Sequence, residues 1–166
     1  MLKLAVPLLV LAVAYVVFFG YLAETYSALP DKVASHFDVH GKPDGWMSRA
    51  ADVEILSVVA LLVPAIVVGG MGGAGRIPVS FINKPHRDYW EADDRRKTAI
   101  GVLLRYGLWF AALNVLFLTG TQALIVEANV NPLQALDMSR LTTGVVVYLV
   151  LTAIWALLLL RRFAKL

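Results

Sequence analysis

The sequence has no cysteine among its 166 residues. This absence excludes disulfide bonds, cysteine-ligated zinc, iron–sulfur clusters and catalysis by a thiol. Charged residues are also scarce, at 16% of the chain, and only three histidines are present. The small net charge of +3 does not indicate nucleic-acid binding, because basic residues also accumulate beside membrane spans, where they set the topology.

Long apolar stretches fill most of the chain, which has a mean hydropathy of +0.71. Four of them, 4–22, 55–75, 106–126 and 141–160, contain no charged residue. Each is close to the roughly 20 residues that a helix needs to cross the hydrocarbon core. Because the backbone must satisfy its own hydrogen bonds inside lipid, each should be helical. We therefore predict an all-α integral membrane protein, one domain over 1–166, with transmembrane helices at about 4–22, 55–75, 101–126 and 141–160.

The distribution of basic residues predicts the orientation of these spans. With both termini in the cytoplasm, eleven of the fifteen Lys and Arg residues lie inside and four lie outside. Positively charged residues are enriched on the cytoplasmic side. We therefore expect both termini to be cytoplasmic, with an outer loop at 23–54 and an inner loop at 76–100.

The outer loop contains a motif rich in polar and turn-forming residues, SHFDVHGKPDGWMSR at 35–49. Residues 33–39 are compatible with a short extended segment. His40-Gly41 and Pro43-Asp44-Gly45 are typical of turns, in which glycine supplies a positive φ. Trp46 should lie at the membrane surface, and Ser48 is suited to cap the next helix. The loop is therefore expected to be short and structured.

Two histidines and an aspartate in this motif raise the question of a metal site. In an extended segment His36, Asp38 and His40 would share one face, and imidazole with carboxylate suits zinc or a similar ion. The alternative is that His36 forms a hydrogen bond within the loop while His40 is an exposed turn residue. No catalytic nucleophile accompanies Asp38 and Asp44, the two aspartates of the motif, so we do not expect an enzyme. We assign no cofactor.

The inner loop contains a second motif. Asp88 and Glu91 resemble a capping box, which predicts a helix from about Tyr89 into the third span. Arg95 and Arg96 follow the acidic first turn. This segment is either a docking surface for a partner or anionic lipid, or a solvated helix start whose acidic and basic residues pair with one another.

Both loops resemble the SdpI-like family of bacterial membrane proteins, whose N-terminal part is a domain of unknown function. The outer motif matches at Leu29, Pro30, His36, Phe37, Asp38, Gly41, Pro43, Asp44, Gly45 and Trp46, and the inner motif at Asn83, Pro85, Tyr89, Trp90, Arg95 and Arg96. Ala34 stands where the family usually has a proline. The resemblance implies a multi-pass protein of the bacterial inner membrane and implies no reaction.

Three functions are compatible with these features. The first is recognition or signalling of the SdpI-like immunity type, in which the protein engages an extracellular peptide or another membrane protein. The second is an accessory subunit of a larger membrane complex. The third is a metal-binding membrane protein that uses His36 and Asp38. All three place the chain in a lipid bilayer, and the first two require a protein partner.

Overall fold

The computed structural model describes residues 2–74, 93–131, 133 and 135–163. These residues form four long helices: α1 (Leu2–Thr25), α2 (Arg49–Gly73), α3 (Asp93–Val130) and α4 (Met138–Phe163). Two short strands, β1 (Lys32–Phe37) and β2 (Pro43–Ser48), lie between α1 and α2. All four helices are long and apolar enough to cross a membrane, so the predicted multi-pass helical architecture is confirmed.

Helix α3 is the central element of the bundle. It packs against α1 and α2 along much of its length and against α4. Its 38 residues span about 57 Å at 1.5 Å per residue, which exceeds the roughly 30 Å of a hydrocarbon core. The helix therefore extends beyond the lipid, and its C-terminal turns reach strand β1.

The two strands correct the all-α prediction. They form an antiparallel hairpin whose register pairs Lys32 with Ser48 and Ala34 with Trp46. Residues 33–39 were predicted to be extended, and β1 confirms this for 33–37. Residues 43–45, however, lie in β2 and not in a turn, because the chain reverses earlier, between Asp38 and Lys42.

Two apolar clusters hold the helices and the hairpin together. In the bundle, Phe18 of α1 packs with Ala60 of α2 and Val115 of α3, each at most 1% exposed. At the hairpin end, Val33 of β1 is fully buried with Leu29 and with Val126 of α3. The hairpin therefore continues the core of the bundle and is not a loose extension of it.

Polar side chains also join the helices. The Tyr148 hydroxyl of α4 donates to Asn114 Oδ1 at 3.1 Å, and Asn114 Nδ2 donates to the Phe110 carbonyl of its own helix. Nearer the hairpin, Gln122 Nε2 donates to the buried Asp52 carboxylate at 3.0 Å. Side chains of α3 therefore form hydrogen bonds with both α4 and α2.

Candidate functional site: the hairpin and its attachment to the bundle

The tip of the hairpin is organised by one carboxylate. Asp38 Oδ1 accepts hydrogen bonds from the backbone N–H groups of His40 at 2.8 Å and of Lys42 at 2.9 Å. These bonds stabilise the charged form, so they hold the pKa of the Asp38 carboxyl below its ordinary value, with the Lys42 bond as the main cause. The structure therefore gives Asp38 a conformational role at this turn.

Gly41 fixes the tip against the loop that precedes α4. Its φ is +79°, a conformation that side chains with a Cβ rarely adopt. The carbonyl of Gly41 accepts a hydrogen bond from the backbone N–H of Leu136 at 2.9 Å, and a Cβ on Gly41 would collide with the Leu136 carbonyl oxygen. The predicted positive φ at Gly41 is confirmed, and the close approach is a second reason for glycine there.

Asn129 joins strand β1 to the end of α3. Its Oδ1 accepts from the Ala34 backbone N–H at 2.7 Å, and its Nδ2 donates to the Ala34 carbonyl at 2.9 Å. The side-chain amide thus pairs with the strand edge as a neighbouring strand would. Ala34 is buried, so without Asn129 its N–H and carbonyl would lose these partners away from water. Asn129 Nδ2 also donates to the Ile125 carbonyl of its own helix at 2.9 Å. Ala34 supplies an N–H that a proline could not.

Arg49, the first residue of α2, contacts the segment that connects α1 to β1. Its guanidinium donates to the carbonyl of Leu29 at 2.9 Å and to the Asp31 carboxylate at 2.9 Å, and it lies over the Tyr26 ring at 4.7 Å. Ser48 then caps α2 as predicted, because its hydroxyl accepts from the Ala51 N–H. These contacts fix the direction in which the chain leaves α1 and enters α2.

The predicted shared face of His36, Asp38 and His40 is not found. Strand β1 ends at Phe37, so the two-residue alternation stops before Asp38, whose carboxylate turns toward the backbone of the tip. His36 Nδ1 instead forms an exposed hydrogen bond with the Asp44 carboxylate across the hairpin. Among the described residues, no three His, Asp or Glu side chains converge as a metal site would require.

Gly45 is required for a reason other than the predicted one. Only Gly41 has a positive φ among the described glycines, so the turn expected at 43–45 was wrong. Gly45 lies opposite His36 in the hairpin, and a Cβ on Gly45 would come within 2.9 Å of His36 Cβ. The absence of a side chain allows the strands to approach beside the irregular pairing at His36.

The outward side of the hairpin exposes apolar surface. Val39 at the tip is 81% exposed and Trp46 in β2 is 47% exposed. The Lys32 ammonium lies 5.3 Å from the centre of the Trp46 ring, a cation–π distance. Trp46 was predicted to lie at the membrane surface, and its partly exposed ring suits that position.

The inner motif lies mostly outside the described residues. Asn83, Pro85, Tyr89 and Trp90 fall there, as do the predicted capping box and helix start. Arg95 and Arg96 lie in the first turns of α3, where both make contacts. The structure therefore brings the outer motif together as one unit, and Arg95 and Arg96 lie at the opposite end of α3 from it.

Three residues whose hydrogen bonds join elements at the hairpin end of the bundle were absent from the predicted site: Arg49, Gln122 and Asn129. Asn129 contacts a residue 95 positions earlier and Gln122 one 70 positions earlier. A polar amide near the end of an apolar span is the only signal that the sequence offers for either.

Comparison with known families gives one match. Residues 4–68 match a domain described as Domain of unknown function (DUF1648), a stretch that covers α1, the hairpin and most of α2. No curated protein and no solved structure matches the chain. The match supports the predicted domain of unknown function at the N-terminal side, while the SdpI-like assignment stays a prediction.

Proposed function

We propose that this multi-pass membrane protein has a recognition role, in which the hairpin binds a protein partner at the membrane surface. One observation carries the proposal. The hairpin is held to the bundle by Asn129, Gly41 and Arg49, yet it leaves Val39 and Trp46 exposed. Exposed aromatic and apolar side chains on a rigid support are typical of binding hot spots, and rigidity reduces the entropy lost on binding.

The partner that fits this surface is an extracellular peptide or the exposed part of another membrane protein, as in the immunity and signalling proteins that the two motifs resemble. The orientation follows the positive-inside rule, with the hairpin outside and both termini in the bacterial cytoplasm. We propose no reaction for the protein. The described hydrogen bonds of Asp38 and Asp44 are to the backbone and to His36, respectively.

Site-specific photo-crosslinking in native membranes tests the proposal. A photoreactive side chain at Val39 or at Trp46 should form a discrete protein adduct. The matched control is Leu133, which is 83% exposed at the same end of the bundle but lies outside the hairpin. An identical adduct pattern at all three positions, or adducts with lipid alone, would contradict a recognition role for the hairpin.

Orientation has its own test, because the chain has no cysteine and each introduced thiol is unique. A cysteine in place of Lys42 should react with a membrane-impermeant thiol reagent in intact cells. A cysteine in place of Lys84 should react only after lysis. Labelling of the Lys84 variant in intact cells would contradict the predicted orientation and indicate the opposite one.

A second candidate function is that of an accessory subunit of a membrane complex. Helix α4 favours it, because it packs mainly against α3 and has no buried residue in the isolated chain. A cavity of about 440 Å³ opens between these two helices and is bordered by Gly120 and Gly144. Small residues let helices approach closely in membranes. A stoichiometric membrane partner after purification in mild detergent would support this function, and a chain purified alone would argue against it.

The metal-binding function has less structural support, since His36 and Asp38 point to different partners. Elemental analysis of protein purified without chelator tests it. About one equivalent of zinc or copper, lost in His36→Ala, would restore this alternative.

A further inference from the structure

The end of the bundle opposite the hairpin contains a cavity of about 320 Å³. It is bordered by the first turns of α1, the N-terminal half of α3 and the last turn of α4. Three basic side chains line it, Lys97 and Arg105 from α3 and Arg162 from α4, together with the apolar Leu4 and Val102. The lining thus combines cationic and apolar side chains.

The charges of this cavity are not balanced by carboxylates of the described chain. None of its described lining residues is acidic. Within residues 2–74, 93–131, 133 and 135–163, Lys97 and Arg162 form no ion pair. The Arg105 guanidinium lies over the neighbouring Tyr106 ring at 5.8 Å. Three positive groups around one space repel one another, so an anion between them would be bound favourably.

The depth of the cavity shows which kind of anion it suits. The charge-free stretch of α3 begins at Tyr106, directly after Arg105, and that of α4 ends at Leu160, two residues before Arg162. Both arginines therefore lie at the edge of the hydrocarbon core. Lys97 is eight residues before Arg105, which places it about 12 Å farther out along the helix axis. This range of depth is that of lipid headgroups.

We propose that this cavity binds the phosphate group of an anionic phospholipid headgroup. Arg105 and Arg162 are placed to donate to phosphate oxygens, because guanidinium groups match phosphate geometry. Lys97 contacts the outer part of the headgroup. Leu4 and Val102 offer apolar contacts to the first carbons of the acyl chains. A free phosphate ion has no apolar part that could use these contacts. The proposal does not depend on a recognition role for the hairpin.

Native mass spectrometry of the full chain in a neutral detergent tests the proposal. Phosphatidylglycerol and phosphatidylcholine are added in separate titrations, and inorganic phosphate is added in a third. We expect phosphatidylglycerol to bind about tenfold more tightly than phosphatidylcholine. Both lipids offer a phosphate, but the choline ammonium of phosphatidylcholine would be repelled by the three basic side chains. Inorganic phosphate at the same concentration should not displace it.

Matched variants locate the binding. Arg162→Gln should weaken phosphatidylglycerol binding about tenfold, whereas Arg161→Gln, the same charge change at a residue that does not line the cavity, should leave it unchanged. Gly101→Met should also weaken binding without changing the charge, because Gly101 lines the cavity and a Cβ there meets only open space.

Three results would overturn the proposal. Equal affinity for the two lipids in the wild-type chain would show that the net charge of the headgroup does not contribute to binding. Equal losses in the Arg161 and Arg162 variants would show general attraction to a basic surface. Displacement of the lipid by inorganic phosphate would assign the cavity to a free anion. The first and third results need no variant, so a variant that fails to fold does not leave the question open.

Discussion

Replacing Asn129 by alanine should detach strand β1 from α3. The substitution removes both hydrogen bonds of the Ala34 backbone to the side-chain amide, at 2.7 and 2.9 Å. Ala34 is only 1% exposed, so water cannot easily replace the amide. A buried group left without a partner costs about 1–3 kcal/mol. Two such groups, partly relieved by movement of the strand, give a loss of about 2–4 kcal/mol in the free energy of unfolding.

Thermal unfolding in detergent, followed by tryptophan fluorescence, measures this loss. For a chain of this size each kcal/mol lowers Tm by about 2–4 °C, so Asn129→Ala should lower it by about 4–16 °C. Hydrogen exchange provides a local readout, because the Ala34 N–H should lose its protection. Asn131→Ala is the control, since the exposed Asn131 side chain only accepts from the nearby Leu133 N–H at 3.0 Å. Its cost should stay below about 1 kcal/mol.

A double-mutant cycle isolates the pairing from other effects of each substitution. Ala34→Pro removes the N–H that donates to Asn129. The cost of Ala34→Pro should be smaller when residue 129 is already alanine, with a coupling of about 1 kcal/mol. Fully additive costs, or an unchanged Tm in Asn129→Ala, would refute the view that this amide holds the hairpin on the bundle.

Further predictions concern the hairpin itself. Gly41→Ala should lower Tm more than Gly45→Ala, because it imposes both a strained φ of +79° and a clash with the Leu136 carbonyl, whereas Gly45→Ala only crowds His36 Cβ at 2.9 Å; equal melting of the two variants would contradict this order. The lowered pKa of Asp38 means that its contribution to stability is present above the ordinary value of 3.8 and is lost as the pH falls through the lower folded-state pKa. Below pH 3.8 the Tm of the wild type should therefore fall more steeply with decreasing pH than the Tm of Asp38→Asn. The same pH dependence of Tm in both proteins would argue against this role of Asp38.

Most of the helical architecture was predictable from the sequence because its causes are local. A charge-free apolar stretch of about 20 residues has one way to satisfy its backbone in lipid, so four spans could be placed without tertiary information. The turn at Gly41 and the cap at Ser48 were predictable for the same reason, since each depends on the conformational preference of a single residue.

The arrangement of the candidate site was decided by tertiary structure. The predicted metal face required β1 to continue past Phe37, but the Asp38 carboxylate ends the strand by binding the backbone N–H groups of His40 and Lys42. The hairpin is placed by Asn129, whose partner lies 95 residues away in the sequence. Local patterns specify where a helix or turn forms. The packing of the helices decides which buried polar groups come into contact. Each such group needs a hydrogen-bond partner, and that partner can lie anywhere in the sequence.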